Sequence, residues 1–325
     1  MGRHHDHHHH HSSTKCQDAT FSFMVLILVF INFSCVEYKP SYNENFLTVL
    51  GIAQDAGYPH IGCNKDCCNK NIGDNKYYVT SIGLTDIEND KNYLFEATPD
   101  IGEQIKYLKV SGENKKIIDG IFLTHAHIGH YSGLMYLGRE ALGAKNVPVY
   151  TMPRMKRFLE ENGPWSQLVS LENIKLEEIN HNQNIRLSSD LKVIPFNVPH
   201  RDEFSETVGY KIIGKNKSAL FIPDIDKWEL WDKSIVDEVK SVDYAFLDAT
   251  FFSGEEINRS MSEIPHPFIS ETMNLFKDEL IETKNKIHFI HFNHTNPVLN
   301  KNITLRDSIQ KLGFNFSKFG DRYML

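Results

Sequence analysis

The sequence predicts a mixed α/β protein, and three observations carry that expectation. Short runs of four to six residues, apolar or alternating as strands are, recur in both halves of the chain. Between them lie segments whose apolar residues return every three or four positions, as one face of a helix requires. Several of the strands end on histidine or aspartate, which places residues able to carry chemistry at the ends of buried elements.

The elements follow in order. Phe46 to Gly51, Ser81 to Thr85 and Tyr93 to Ala97 read as strands. From Asp100 onward, Ile101, Ile105 and Leu108 are spaced for one helix face. Gly120 to Leu123 is the next strand, and Tyr131 to Leu142, with Leu134, Leu137 and Ala141, reads as a helix after a short loop. Val147 to Tyr150 is a strand. Pro153 to Glu161 is a helix with proline in its first turn, where the missing N–H removes no intrahelical bond. Phe158 and Trp165 suit either the core or a lid. Leu191 to Val198, Thr207 to Ile213, Ser218 to Ile222 and Tyr244 to Asp248 are strands, then a helix starts near Pro267 and includes Met273, Leu275 and Phe276. Ile287 to His291 closes the series as a strand.

The chain has 325 residues, 41% apolar and 24% charged, as soluble globular proteins have. Its formal charge of -7 gives no electrostatic case for nucleic-acid binding, which calls for a basic face. No fixed period and no long low-complexity linker divides residues 36–325, so they are read as one domain with a sizeable core. Met1 to Ser13 holds seven of the seventeen histidines and reads as an expression tag. Phe21 to Phe33 is an apolar run of thirteen residues, too short to span a bilayer comfortably, and fits the hydrophobic part of a secretory signal. Ser34-Cys35 after it resembles a lipoprotein cleavage site at which Cys35 would bear the lipid; a plain signal peptide or an uncleaved anchor are the alternatives. Residues 1–35 are therefore read as tag plus signal, with an exported bacterial protein held at a membrane only through that end.

The densest chemistry lies in Thr124-His125-Ala126-His127-Ile128-Gly129-His130, directly after the apolar Ile121-Phe122-Leu123. Neutral imidazole is the commonest metal ligand, and three rings in six positions at a strand end can be aimed into one cavity. Further candidates follow other strands: His200 in Val198-Pro199-His200, Asp224 after Phe221-Ile222-Pro223, and His294 in His291-Phe292-Asn293-His294. A separate cluster, Gly62-Cys63-Asn64-Lys65-Asp66-Cys67-Cys68, puts three thiols within six residues. In an exported protein a disulfide is the simple reading and leaves one thiol over. Three thiolates also suit tetrahedral zinc with a fourth ligand from elsewhere, for which His60 is near in sequence.

The histidine loop resembles the H-x-H-x-D-H signature of the metallo-β-lactamase superfamily, with Gly129 where the aspartate usually stands. Ala53-Gln54-Asp55-Ala56-Gly57-Tyr58-Pro59, the cysteines, Ala97-Thr98-Pro99-Asp100-Ile101 and Asn293-His294-Thr295-Asn296-Pro297 further resemble the branch containing coenzyme PQQ synthesis protein B. The resemblance implies an αββα sandwich, two mixed sheets face to face with helices outside. It implies a metal site of His125, His127 and His200, with Asp224 bridging to a second metal on His130 and His294. The cysteine cluster, by the same resemblance, holds a structural zinc.

Three protein ligands leave a position for water, as catalytic zinc sites do. The metal would bring that water's pKa near neutrality, and two ions about 3.5–4 Å apart can clamp attacking and leaving oxygens. Gly129 leaves the second site short of a carboxylate, so one ion, two ions with substitute ligation, or another metal all follow. Asp248 and His266 are the candidate substitutes or acid and base groups, against a strand-end aspartate satisfied by backbone and a loop histidine beside prolines. His291 is read as a packed histidine, Asp55 as a turn residue with Gly57, Glu96 as a residue that orients a ligand histidine, and His288 has no supporting context. The expected activity is zinc-dependent hydrolysis of a small ester, lactam, lactone or phosphodiester. Iron-dependent oxygenation is the alternative that the branch implies, and a metal-binding lipoprotein with a decayed site is the third.

Overall fold

The computed structural model describes residues 43–69, 76–108, 116–256, 259–299 and 303–325. The apolar run Phe21 to Phe33 and Cys35, read as signal and lipidation site, lie outside the described residues. Among the described residues no helix is long and apolar enough to cross a membrane.

Two seven-stranded sheets form the centre. The first contains β1 (Phe46–Gly51), β2 (Ser81–Asp86), β3 (Lys91–Phe95), β4 (Gly120–Phe122), β5 (Val147–Thr151), β6 (Ile174–Glu178) and, from the C-terminus, β14 (Arg322–Met324), in the order β14-β1-β2-β3-β4-β5-β6. The second contains β7 (Ile185–Arg186), β8 (Lys192–Asn197), β9 (Val208–Ile213), β10 (Ser218–Ile222), β11 (Tyr244–Asp248), β12 (Ile287–Ile290) and β13 (Asn315–Phe316), in the order β13-β12-β11-β10-β9-β8-β7. This is the αββα sandwich.

Alternation of side chains along each strand builds the layers. In the first sheet Leu47, Val49, Tyr93, Phe95 and Phe122 face the core shared with the second sheet, while Leu50, Leu94, Ile121 and Leu123 join a separate cluster with the helices. Both faces are therefore buried, which is why β1 is apolar almost throughout. Near the histidine loop the inner face is aromatic: Phe122 stacks between Phe95 (4.9 Å) and Tyr150 (4.3 Å), with Tyr210 of the second sheet edge-on at 5.6 Å. The Tyr210 hydroxyl donates to the Leu123 carbonyl and Val208 N donates to Thr124 O at 3.1 Å, tying the second sheet to the start of the loop.

Strand direction decides where the chemistry goes. β1 and β3 are both antiparallel to β2, and β3, β4, β5 and β6 are mutually parallel, so β1 runs the same way as β3 and β4. In the second sheet β8 and β10 are both antiparallel to β9, and β10 to β13 are parallel. The strand ends that carry Asp55, Glu96 and His125 thus share one rim of the first sheet, and those that carry His200, Asp224, Asp248 and His291 share one rim of the second.

The segment after the histidine loop departs from the expected helix over Tyr131 to Leu142. One α-turn at Ile128–Tyr131 gives way to a 3-10 helix at Ser132–Leu137. The cause is a close approach of backbones. Ala97 N donates to His130 O (2.9 Å), Gly133 N donates to Ala97 O (2.8 Å), and a Cβ on Gly133 would lie 2.0 Å from Thr98 O. The chain is sewn to the end of β3 before a regular helix can develop. The helix Pro153–Glu161 forms as read, with Met155 and Leu159 buried.

Candidate metal centre

The histidine loop and three other strand ends converge on one small volume. His125 Nε2 lies 2.8 Å from His127 Nδ1 and 3.3 Å from Asp224 Oδ2. His200 Nε2 lies 3.3 Å from His127 Nδ1 and 3.2 Å from Asp224 Oδ1. Four donors held tetrahedrally at zinc bond lengths stand about 3.3 Å apart. His125, His127, His200 and Asp224 have the spacing of one ion's ligand set. Asp224 Oδ2 also lies 3.7 Å from His130 Nε2 and 4.0 Å from His291 Nε2, so one carboxylate oxygen faces two groups of imidazoles.

Asp55, His130 and His291 form the second group. Asp55 Oδ1 is 3.2 Å from His130 Nε2 and 3.7 Å from His291 Nε2. Asp55 Oδ1, His130 Nε2, His291 Nε2 and Asp224 Oδ1 are buried and make no hydrogen bond. Buried polar atoms rarely go unpaired in folded proteins. Here they crowd one another without being aligned, as lone pairs aimed at a common ion are.

Two hydroxyl relays fix which imidazole nitrogen faces the centre. Thr124 Oγ1 donates to Glu96 Oε1 (2.5 Å), so it accepts from His125 Nδ1 at 2.8 Å and leaves the Nε2 lone pair inward. Thr250 Oγ1 donates to Asp248 Oδ1 (2.7 Å) and accepts from His291 Nδ1 at 2.9 Å, with the same result for His291. His130 Nδ1 lies 3.2 Å from Glu96 Oε1. Carboxylates behind ligand histidines fix the tautomer and raise the basicity of the ring. Glu96 and His291 are held at φ of 79° and 68°, the left-handed region that non-glycine residues rarely adopt.

Burial and charge set the protonation. Burial, then His130, holds His125 well below the usual imidazole value, so it is neutral. Burial alone would lower His130, but Glu96 and Asp55 outweigh it and hold it well above, so an ion that takes its Nε2 lone pair must displace a proton. Burial would raise Asp224, yet His200, His266 and His291 hold it well below the carboxylate range. Asp55 is likewise held low against its burial by His130 and His291.

Asp248 accepts from Ile225 N (3.2 Å), Thr250 N (2.9 Å), the Thr250 hydroxyl and His266 Nδ1 (2.9 Å). Both its oxygens are thus engaged in orienting others. His266, only 5% exposed, also has Nδ1 3.2 Å from Asp224 Oδ1.

Two sequence expectations change place. His294, expected at the second metal of the active site, lies instead with Cys63, Cys67 and Cys68. His291, expected to be packing, supplies the imidazole that faces Asp224 and Asp55. The exchange follows from the backbone: His291 is the first residue past β12, and a turn at Asn293, with Asn296 N donating to Asn293 O at 2.9 Å, swings His294 away. Asp55 does sit in a turn, with Gly57 N donating to Gln54 O at 2.7 Å, but its carboxylate enters the centre. No local signal in the sequence singles Asp55 out; only the close packing of its turn on Gly129 does.

The thiols stand apart from disulfide geometry. Sγ of Cys63 and Cys67 are 3.8 Å apart and those of Cys67 and Cys68 are 3.9 Å apart. A disulfide spans about 2.05 Å, whereas two thiolates on one tetrahedral zinc stand about 3.8 Å apart. Burial, with His60 and Lys65 nearby, pulls His294 down to about 4, which keeps its ring neutral and able to ligate. His60 is not the fourth donor. Its ring packs on His294 at 4.1 Å and its backbone N–H donates to Cys68 Sγ.

Comparison with known proteins settles the family. Residues 91–291 match the beta-lactamase superfamily domain. The chain belongs to this superfamily. Coenzyme PQQ synthesis protein B of Acinetobacter baumannii (strain ACICU) is 24% identical over 284 residues, covering 78% of this chain and 91% of that protein. The Methylorubrum extorquens (strain PA1) protein of the same name is 23% identical, covering 84% and 98%. The crystal structure of Zn(2+)-bound PqqB from Methylobacterium extorquens superposes with a TM-score of 0.71 at 20% identity, over 86% of this chain and 100% of that one. A diphosphatase from the PhnP family gives 0.63 at 24% identity over 87% and 97%, and human tRNase Z, short form, gives 0.54 at 14% over 86% and 98%. These likenesses establish a metallo-β-lactamase fold that resembles PqqB. The metal-ready donor sets at the rim are what this superfamily fold would place there.

Proposed function

We propose that this protein is a metal-dependent hydrolase whose rim site uses a metal-activated water, with zinc as the resident ion and a phosphodiester or related ester as substrate. The observation that carries the reading is Asp224 Oδ2, placed 3.3 Å from His125 Nε2 and 3.7 Å from His130 Nε2 at the meeting of the two donor groups. His125, His127, His200 and Asp224 would hold the first ion. A bound divalent ion there supplies a water of near-neutral pKa and a Lewis acid for the substrate oxygen. The protein's own part is to position and to move a proton. Asp248 fixes His266 through Nδ1, so Nε2 is the group that protonates a leaving oxygen. Glu203, 3.5 Å from His127 Nε2, is exposed. A diphosphatase and a tRNase Z among the structural neighbours support substrates with phosphorus–oxygen bonds.

The curated relatives favour one second reading. Proteins called coenzyme PQQ synthesis protein B align over nearly their full length, and histidine–carboxylate sites also hold iron with open positions for oxygen. Metal content and turnover separate the two. Purified protein freed of Met1–Ser13 should carry zinc and cleave bis(p-nitrophenyl) phosphate, and His127→Ala should lose rim metal and at least ~100-fold of the rate, as loss of a direct ligand implies. Tightly held iron with oxygen uptake, and no ester cleavage, would move the assignment to the second reading.

A further inference from the structure

The superfamily loop normally supplies its own carboxylate at the position of Gly129, and here the volume for it is taken. A Cβ built on Gly129 would lie 2.4 Å from Asp55 Oδ1 and 2.6 Å from Asp55 Cα. No side chain fits there while the turn after β1 stays where it is. The same turn brings in a carboxylate of its own. Asp55 Oδ1 is buried, makes no hydrogen bond, and lies 3.2 Å from His130 Nε2 and 3.7 Å from His291 Nε2. Those separations bracket the spacing of about 3.3 Å expected between ligands on one tetrahedral zinc.

The turn is held against the segment that carries His291. Gln54 N donates to Phe292 O (2.9 Å), Phe292 N donates to Ile52 O (2.8 Å), and Asn293 Nδ2 donates to Gln54 Oε1 (2.6 Å). Asp55 and His291 are therefore registered to each other by backbone, as a shared ligand set requires. Asp248, the other carboxylate near His291, has its oxygens engaged by Ile225, Thr250 and His266.

We propose that Asp55 is a ligand, with His130, His291 and the bridging Asp224, of a second metal ion, replacing from the end of β1 the carboxylate absent at position 129. Gly129 and Asp55 are then one exchange: the glycine makes room and the aspartate restores the charge. The inference rests on the hydrolase reading for its catalytic use, but it is tested by metal counting alone.

Chain lacking Met1–Ser13, whose seven histidines would bind zinc themselves, is stripped and titrated with Zn2+ by calorimetry, with bound metal measured by mass spectrometry. Wild type should take three equivalents: two at the rim and one at the cysteines. Asp55→Ala should take two, or bind the third at least 100-fold more weakly. Asp55→Asn, which keeps the shape, should do the same. Gly129→Ala should also lose the second rim ion, because its methyl displaces the Asp55 turn without touching any charge. Unchanged circular dichroism and a retained cysteine-site ion report that each variant is folded. Three equivalents of unchanged affinity in Asp55→Ala would overturn the proposal, as would only two in wild type. Either result leaves a one-metal hydrolase standing, whereas loss of all rim metal in wild type would fell that reading too.

Discussion

Glu96 holds two parts of the rim at once. Its Oε1 accepts from Thr124 at 2.5 Å and lies 3.2 Å from His130 Nδ1, so one buried carboxylate aligns His125 through a hydroxyl and His130 directly. Thr124→Val removes the relay with little change of shape. Loss of a partner behind a ligand histidine costs about 10–100-fold in metal affinity. A competitive zinc titration of Thr124→Val should show a loss of that order at the His125 site, with the cysteine-site ion unaffected; equal affinity would show that the relay does not orient His125. At this scale the chain was only partly legible. Three histidines around Gly129 announce a metal loop by their spacing, and the reading of Glu96 as an orienting residue agrees with the geometry found. Asp55 was not legible, since an aspartate before Ala-Gly reads as a turn residue and its second use depends on contact with Gly129, seventy-four positions away.

Strands of the second sheet carry their rim groups at or just past their ends, and β12 shows what happens to a histidine inside. His288 lies midway along it among the rings of Tyr244, Phe246 and Tyr323, with Nδ1 3.0 Å from the Tyr323 hydroxyl. Burial pulls it down to about 4 from 6.5. A folded value below the unfolded one means that the unfolded chain takes up a proton first as pH falls, so stability present at pH 7 is lost between about 6.5 and about 4. Every tenfold difference in proton affinity between the folded and unfolded chain is worth ~1.4 kcal/mol. Urea midpoints at pH 7.5 and 4.5 should therefore fall less steeply in His288→Gln than in wild type, with a difference of about 2 kcal/mol between the two pH dependences. Parallel curves would contradict the assignment. Strand positions such as β1, β10 and β11 were legible because both faces of their sheets are buried and their residues run apolar. β13 and β14, of two and three residues, were not, because pairing with β12 and β1 rather than any local pattern makes them strands.

Across the whole molecule, parallel strand directions bring residues from positions 55 to 291 to one rim, and the loop after β12 joins two centres. His291 faces the rim donors and His294, three residues on, completes the cysteine set. A metal ion on the cysteine set would thus brace the segment that holds His291 and, through the Asn293–Gln54 hydrogen bond, the turn of Asp55. Most of the donors can be read along the chain but not their partition, since two histidines three apart cannot be sorted without the left-handed backbone at His291. The central claim is that these donors hold ions at the rim. Crystals of protein freed of Met1–Ser13, measured for anomalous scattering at the zinc and iron edges, test it most directly. The account predicts a peak enclosed by His125, His127, His200 and Asp224, a second beside Asp55, His130 and His291, and a third among Cys63, Cys67, Cys68 and His294. Density at the cysteines alone, with the rim imidazoles bonded to water, would contradict it.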